Sequence, residues 1–339
     1  MKTLRLEEPG KLIALATEFP GAPGPGEALV RVHRIGVCGT DLHAFAGRQP
    51  FFSYPRILGH ELGVEVLAVA DGVSNISAGD RCAVEPYLNC GTCVACRRGK
   101  PNCCTDIRVL GVHSDGGMRE QLLVPARKLH PSRTLGFDQL ALVETLAIGC
   151  HAVERAQVEH DEFVLVIGAG PIGLAVMQFA VAAGARVIAL DVNAARLEFC
   201  QAQLGVAQAV NAATQPVLEA LQRLTRGELP TAVFDATGNP QSMAAAFNYQ
   251  AAGGRVVFVG LFQGEVTFND PNFHKREMSL LASRNALPAD FTRIIGLVES
   301  GRIDTTPWIT HRAEFSRVPE EFPRWTLPAS GVIKAMIAV

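Results

Sequence analysis

The sequence predicts an α/β fold with two textures: an irregular, mostly-β part and a doubly wound parallel sheet. Three observations predict it. Up to about residue 148 the chain is rich in Gly and Pro, and turn signals such as APGPGE and SAGD separate short β-like runs. From 149 onward, apolar strands alternate with helical stretches. Residues 168–173 read GAGPIG directly after the apolar run FVLVI, the pattern of a strand, a tight turn and a helix. The expected division is 1–148, 149–285 and a tail, 286–339, that rejoins the first part.

In the first part the strand candidates are ALVRVHRIGV, LGVEVLAVA, RCAVEP and REQLLV. In the second, FVLVIG leads to a helix over 171–183, and RVIALD to a helix over 194–203. AQAVN, a helix near 215–226, TAVFDATG, a helix near 240–250, RVVFVG and MSLLAS continue the series. Six short apolar strands separated by helices are the signature of a parallel doubly wound sheet. A helix near 289–300 and the strand-like GVIKAMIAV follow.

Composition narrows the function. The 339 residues carry a formal net charge of -2, and the pI is about 6.5. That leaves no electrostatic footprint for nucleic acid and no polybasic membrane signal. Residues 163–185 lack any charge and are long enough to span a bilayer. However, GAGPIG interrupts them, and Arg186 precedes a second apolar run, so strand, turn, helix and strand explain them better. The opening MKTLRLEEPGK is acidic where a secretory signal is apolar, so the expectation is a reducing cytoplasm.

Five of the 9 cysteines fall within CGTCVACRRGKPNCC, residues 90–104. Disulfides are the weaker reading in a reducing compartment, and a chain of this length needs no staples. Cys90, Cys93 and Cys96 are each separated by two residues, a spacing that lets thiolates converge on one tetrahedral zinc. Spacing alone leaves Cys103 and Cys104 both open as the fourth ligand.

Gly168-Ala169-Gly170-Pro171-Ile172-Gly173 has the structural context that a dinucleotide fingerprint needs. Its glycines let the backbone approach a pyrophosphate at a helix N-terminus. Asp191 ends the next strand, 21 residues after Gly170, and would accept from the adenosine ribose hydroxyls. A carboxylate there repels a 2′-phosphate, which favours NAD over NADP, although Arg196 lies close by. Thr237-Gly238 and Val259-Gly260-Leu261 end later strands, where the nicotinamide half would pass.

A second group has mixed ligands: Cys38 with Thr40, Asp41 and His43, then Gly59-His60-Glu61, then Glu144. A thiolate, an imidazole and a carboxylate can bind zinc and leave one position open. Each residue alone is more often structural. The combination beside a nicotinamide fold makes the case.

On these residues the sequence resembles the zinc-dependent medium-chain dehydrogenases. Cys38-Gly39-Thr40-Asp41-x-His43, Gly59-His60-Glu61, Gly79-Asp80-Arg81, the cysteine lobe and Gly168 to Gly173 appear in the family's order, and the resemblance covers the whole chain. It implies a GroES-like catalytic domain with a zinc lobe near 86–105, a Rossmann domain, and a dimer or tetramer. It implies two zinc ions. The lobe pattern C-x2-C-x2-C-x7-C makes Cys90, Cys93, Cys96 and Cys104 the structural ligands and leaves Cys103 spare. Cys38 and His60 would hold the catalytic zinc, with Glu61 or Glu144 completing it as in the sorbitol dehydrogenase branch. Asp41 would fix the His60 ring. Thr40 would pass on the substrate proton and His43 would relay it. Lys334 resembles a basic residue that meets the cofactor phosphates.

Two further stretches resemble a bacterial sugar-acid branch, the L-galactonate and L-gulonate 5-dehydrogenases: residues 48–56 and 258–286. That implies oxidation at C5 of a hexonate, with a neutral polyol or L-threonine as alternative substrates. A zinc-free reductase of the same fold, or a non-enzymatic protein, would have no need of these metal-site residues together. An aldonate carboxylate calls for a cation in the pocket. Arg284, His113, Lys275 and Arg48 are candidates, with Asn285 beside Arg284 and Phe51 as a wall.

Overall fold

The computed structural model describes residues 1–49 and 52–339. Both textures expected from the sequence are present. The chain forms two compact units: Met1–Thr145 with Leu287–Val339, and Leu146–Ala286. Among the described residues, no helix is long and apolar enough to cross a membrane.

The first unit is built on a seven-stranded sheet. Its order is Ile309–Glu314, Lys334–Ala338, Glu27–Val37, Glu61–Val69, Arg81–Val84 and Leu129–Ser132, with Gln121–Pro125 also paired to Glu27–Val37. Ile309–Glu314 and Lys334–Ala338 run parallel, and the other neighbours are antiparallel. In Glu27–Val37, Ala28, Val30 and Val32 alternate inward, the period of two that a half-buried strand requires. Their side chains join Leu4, Ile35, Leu62, Val64, Leu122 and Phe322 in one core. The strand Lys334–Ala338 lies between Ile309–Glu314 and Glu27–Val37, so a late segment completes a sheet begun by early ones.

The second unit is a six-stranded parallel sheet of order Gln208–Asn211, Arg186–Asp191, Phe163–Ile167, Ala232–Asp235, Arg255–Phe258 and Ser279–Ala282. Strand order reverses beside Phe163–Ile167, the switch point at which open α/β sheets bind ligands. Val164, Leu165 and Val166 are fully buried, as continuous apolar runs in covered parallel strands are. Local signals set the helix ends. Proline opens Pro171–Ala182 and Pro240–Ala246, where its missing N–H costs nothing. Asn193 and Asn239 cap Ala194–Leu204 and Pro240–Ala246 by accepting the amides of Arg196 and Ser242.

The helix Phe137–Ala156 is absent from the sequence reading. Residues 140–153 are buried except half-buried Ile148, so no polar stripe betrays a helical period. Two glycines set close approaches along it. A Cβ at Gly63 would lie 2.2 Å from the Phe137 carbonyl oxygen, and one at Gly149 would lie 2.5 Å from the Ala175 backbone carbon. Gly149→Ala must push two helices apart. We expect it to cost about 1–3 kcal/mol, read as a lower thermal midpoint. An unchanged midpoint would show that the contact relaxes freely.

Candidate active site

Three adjacent strands of the first unit deliver the donors. Gly36 pairs with Glu61, and Val37 with Ala335, so Cys38, Glu61 and Lys334 emerge at one end of the sheet. Gly36 is required there: a Cβ on it would lie 2.1 Å from Glu61 Oε2. Gly59, at φ +95°, turns the chain into His60 and Glu61.

Cys38 is the N-cap of the helix Gly39–Phe45. Asp41 Oδ2 accepts the Cys38 amide at 3.0 Å, which fixes a fully buried carboxylate in the first turn. Its other oxygen faces His60 Nδ1 at 3.7 Å, too far for a hydrogen bond, and both atoms lack hydrogen-bond partners among the described residues. Burial alone would lower the His60 pKa. The charges of Asp41 and Cys38 outweigh it and hold the ring well above its ordinary value. Burial raises the Asp41 carboxyl, against the pull of His60.

The ligand atoms of Cys38, His60 and Glu61 all lie within 4.8 Å of one another. Glu61 is 1% exposed, and Lys334 Nζ donates to both of its oxygens, at 2.6 and 2.8 Å, and to the Val37 carbonyl at 3.2 Å. Burial opposes the Lys334 charge, but Glu61 and Cys38 more than restore it, so its pKa is raised. Glu144 stands outside this donor group and accepts from the Tyr87 hydroxyl. Burial raises the Glu144 carboxyl, although His60 opposes this. Burial and Glu144 push the Tyr87 phenol well up, so it stays a donor. The buried acids Asp41, Glu61 and Glu144, with the Cys38 thiol, outnumber the two cationic groups among them, the Lys334 ammonium and the His60 ring. A divalent cation among these donors fits both the charge and the convergence of sulfur, nitrogen and oxygen.

Thr40 and His43 lie three residues apart on the helix Gly39–Phe45 and therefore share a face. Thr40 is half-buried and His43 exposed. Partial burial, and then the Arg48 charge, lower the His43 pKa, so the ring is neutral near pH 7.

The Sγ atoms of Cys90, Cys93, Cys96 and Cys104 also lie within 4.8 Å of one another. Cys90 and Cys104 are 3.4 Å apart, near the roughly 3.8 Å that tetrahedral Zn–S bonds of about 2.3 Å would set. Backbone amides of Cys96 and Thr105 draw the Cys93 thiol down to about 5, whereas Cys104, despite the Cys90 amide, is pushed up to about 11 by burial and its neighbouring thiols. Cys103 is exposed and stands outside the group.

In the second unit, the register Ile167↔Asp235↔Phe258 aligns three strand ends. Gly168, Thr237-Gly238 and Val259-Gly260-Leu261 therefore follow one another along one edge. Gly168 has φ +97°. A Cβ on Gly173 would fall 1.7 Å from the Gly168 carbonyl oxygen, whereas one on Gly170 would meet nothing within 4 Å. Gly173 thus closes the helix onto the turn, while Gly170, the N-cap ahead of Pro171 and Ile172, leaves open space for a ligand. Asp191 accepts the Ala169 amide at 2.6 Å and the Asn193 amide at 2.8 Å, which locks it beside the turn. Arg196 follows on the next helix, its pKa lowered by burial against the Asp191 charge. These features fit a dinucleotide.

Residues 171–300 match the family described as zinc-binding dehydrogenase, and residues 24–134 match the alcohol dehydrogenase GroES-like domain. L-galactonate-5-dehydrogenase of Escherichia coli is 41% identical over 337 residues, covering 99% of this chain and 98% of that protein. The chain belongs to the zinc-binding dehydrogenase family. This zinc-binding dehydrogenase is also 34% identical to L-idonate 5-dehydrogenase of Vitis vinifera, over 87% of this chain and 82% of that one. A solved alcohol dehydrogenase from Escherichia coli, complexed with NADH, has a TM-score of 0.93 at 32% identity, covering 100% of this chain and 99% of that one.

The remaining pocket candidates fall in both units. Phe51 lies outside the described residues. In the first unit, His113 is half-buried and its Nδ1 accepts the Val109 amide at 3.0 Å. In the second, Arg284 is exposed, and Asn285 holds a left-handed φ of +49°. Lys334, expected at the cofactor phosphates, is 1% exposed and has its ammonium on Glu61. Tyr87 was missed by sequence reasoning altogether. Its only signal is its place between Pro86 and the cysteine lobe.

Metal analysis tests the lobe. The wild-type dehydrogenase should hold two zinc ions per chain. Cys104→Ser should lose one, and Cys103→Ser should keep both. The reverse pattern would reassign the fourth thiolate.

Proposed function

We propose that this dehydrogenase oxidises the C5 hydroxyl of a sugar acid such as L-galactonate or L-gulonate to the 5-keto acid, with hydride transfer to NAD. The observation that carries the reading is the Cys38, His60 and Glu61 donor set in a chain 41% identical, nearly end to end, to an L-galactonate-5-dehydrogenase. The L-idonate 5-dehydrogenase relative also acts, by its name, at C5 of a sugar acid.

In this reading Cys38, His60 and Glu61 hold the catalytic zinc, Asp41 steadies the ring, and Glu144 stands beside them. Cys90, Cys93, Cys96 and Cys104 hold the second zinc and keep the lobe folded. When bound, the catalytic metal would polarise the substrate hydroxyl and lower its pKa. Thr40 Oγ1 takes the hydroxyl proton and hands it to His43, whose neutral, exposed ring releases it to solvent. Oxidation of C5 releases one hydride to the nicotinamide and one proton along this route. Gly168, Gly170, Pro171, Ile172 and Gly173 cradle the pyrophosphate. Asp191 holds the ribose hydroxyls beside Arg196, and Thr237, Gly238, Val259, Gly260 and Leu261 flank the nicotinamide half. Arg284, with Asn285, answers the substrate carboxylate, and His113 adds a polar contact.

The active form is a homodimer or homotetramer. Ser279–Ala282 ends one side of the six-stranded sheet with Leu280 41% exposed, an edge that a second copy can cover. A reducing cytoplasm suits its thiolates.

Three measurements test this. Asp191→Ala should shift the preference for NAD over NADP by about tenfold to a hundredfold, the worth of a charged hydrogen bond; an unchanged ratio removes the ribose contact. Against L-galactonate, L-gulonate, D-gluconate, sorbitol, xylitol and L-threonine, NAD reduction at 340 nm should be fastest with one of the first two. Arg284→Ala should raise KM for that aldonate about tenfold more than for a polyol. Turnover of polyols or threonine alone would keep the zinc chemistry and discard the sugar acid.

A further inference from the structure

Two buried glutamates flank His60, and each has its own donor. Glu61 meets the Lys334 ammonium through both oxygens. Glu144 meets a neutral hydroxyl, that of Tyr87, through Oε1. Only Glu61 belongs to the 4.8 Å donor group with Cys38 and His60. What separates the two carboxylates is therefore not burial, since Glu144 is 5% exposed and Glu61 1%. They differ in the donor that holds each one.

Tyr87 is well placed to hold a side chain still. It is 3% exposed and lies in the short strand Tyr87–Leu88, paired antiparallel with Arg108–Val109. Its ring meets buried Phe291 edge-on, with centroids 6.4 Å apart. Phe291 in turn stacks on His130 at 4.8 Å, and His130 Nε2 lies 3.2 Å from Glu85 Oε2. Glu85 also takes the buried Lys128 ammonium. The phenol is thus braced by an aromatic stack that ends in a buried ion pair, and its hydroxyl has little freedom to follow Glu144 elsewhere.

We propose that Tyr87 is a positioning residue: by fixing Glu144 Oε1 it keeps Glu144 out of the Cys38, His60 and Glu61 set and leaves the fourth position to the substrate oxygen. The proposal rests on reading that set as the catalytic metal site. Tyr87 stands outside the donor set and acts through Glu144.

The test is a double-mutant cycle of Tyr87→Phe and Glu144→Gln on the zinc-loaded protein. Two quantities are read: the rate at which the catalytic-site zinc passes to a chelator, and KM against kcat for the alcohol. Tyr87→Phe frees Glu144 to join the donors. Zinc release should slow about tenfold and the alcohol KM rise about tenfold, the scale of outer-sphere changes at metal sites, with the KM for NAD unchanged. Glu144→Gln alone should release zinc somewhat faster than wild type, because a neighbouring negative charge is lost, but should keep the catalytic-site ion, because Glu144 is not a ligand. In the Glu144→Gln background, Tyr87→Phe should change neither quantity more than about twofold. Effects of Tyr87→Phe that survive intact in that background overturn the proposal, as does a purified Glu144→Gln protein that has lost the catalytic-site zinc with Tyr87 present. Wild-type protein that holds only the lobe zinc overturns the metal-site reading itself, so the two failures are distinct.

Discussion

Negative charge buried around one imidazole governs the first unit. Asp41, Glu61 and Glu144, with the Cys38 thiol, crowd His60 out of reach of water. Removing an ion from water costs several kcal/mol unless a partner answers it. The fold answers each group separately: an amide for Asp41, an ammonium for Glu61, a phenol for Glu144. Only the Lys334 ammonium offsets a charge, and a divalent metal would offset more of the set. The same demand explains Gly36, where only a hydrogen leaves room for the Glu61 carboxylate.

The cysteine lobe is tied into the unit that carries this charge. Asn89 Nδ2 reaches Cys96 Sγ at 3.7 Å and is itself held by Arg127, while burial lowers the pKa of Lys128 against the charge of Glu85. Lys128 pairs with Glu85, one residue from Pro86 and two from Tyr87. Asn89, bonded to both Cys96 and Arg127, lies two residues from Tyr87, so the lobe borders the tyrosine along the chain.

Much of this was legible in the sequence because local physics wrote it there. The six parallel strands are continuous apolar runs, and the GAGPIG turn needs its glycines for steric reasons that hold in any context. The cysteine steps are local as well. Other features left weaker traces. Phe137–Ala156 is buried nearly all round, so it carries no stripe. The hairpin of Lys2–Glu8 and Lys11–Ala16 alternates Leu4 and Leu6 with Arg5 and Glu7, a strand signal that the acidic start obscured. Tyr87 and Lys334 gain their meaning only from partners 57 and 273 residues away. No window along the chain contains both halves of either contact.

That last separation has a consequence for how the molecule is made. Cys38, His60 and Glu61 leave the ribosome early, whereas the strand that wedges Lys334 into their sheet follows the whole of Leu146–Ala286. The nucleotide half has all its strands in one uninterrupted stretch and can close while synthesis continues. The metal half stays an unfinished sheet, its donors without their ammonium, until Lys334–Ala338 emerges. Maturation therefore runs in the opposite order to the sequence: the unit begun first is completed last.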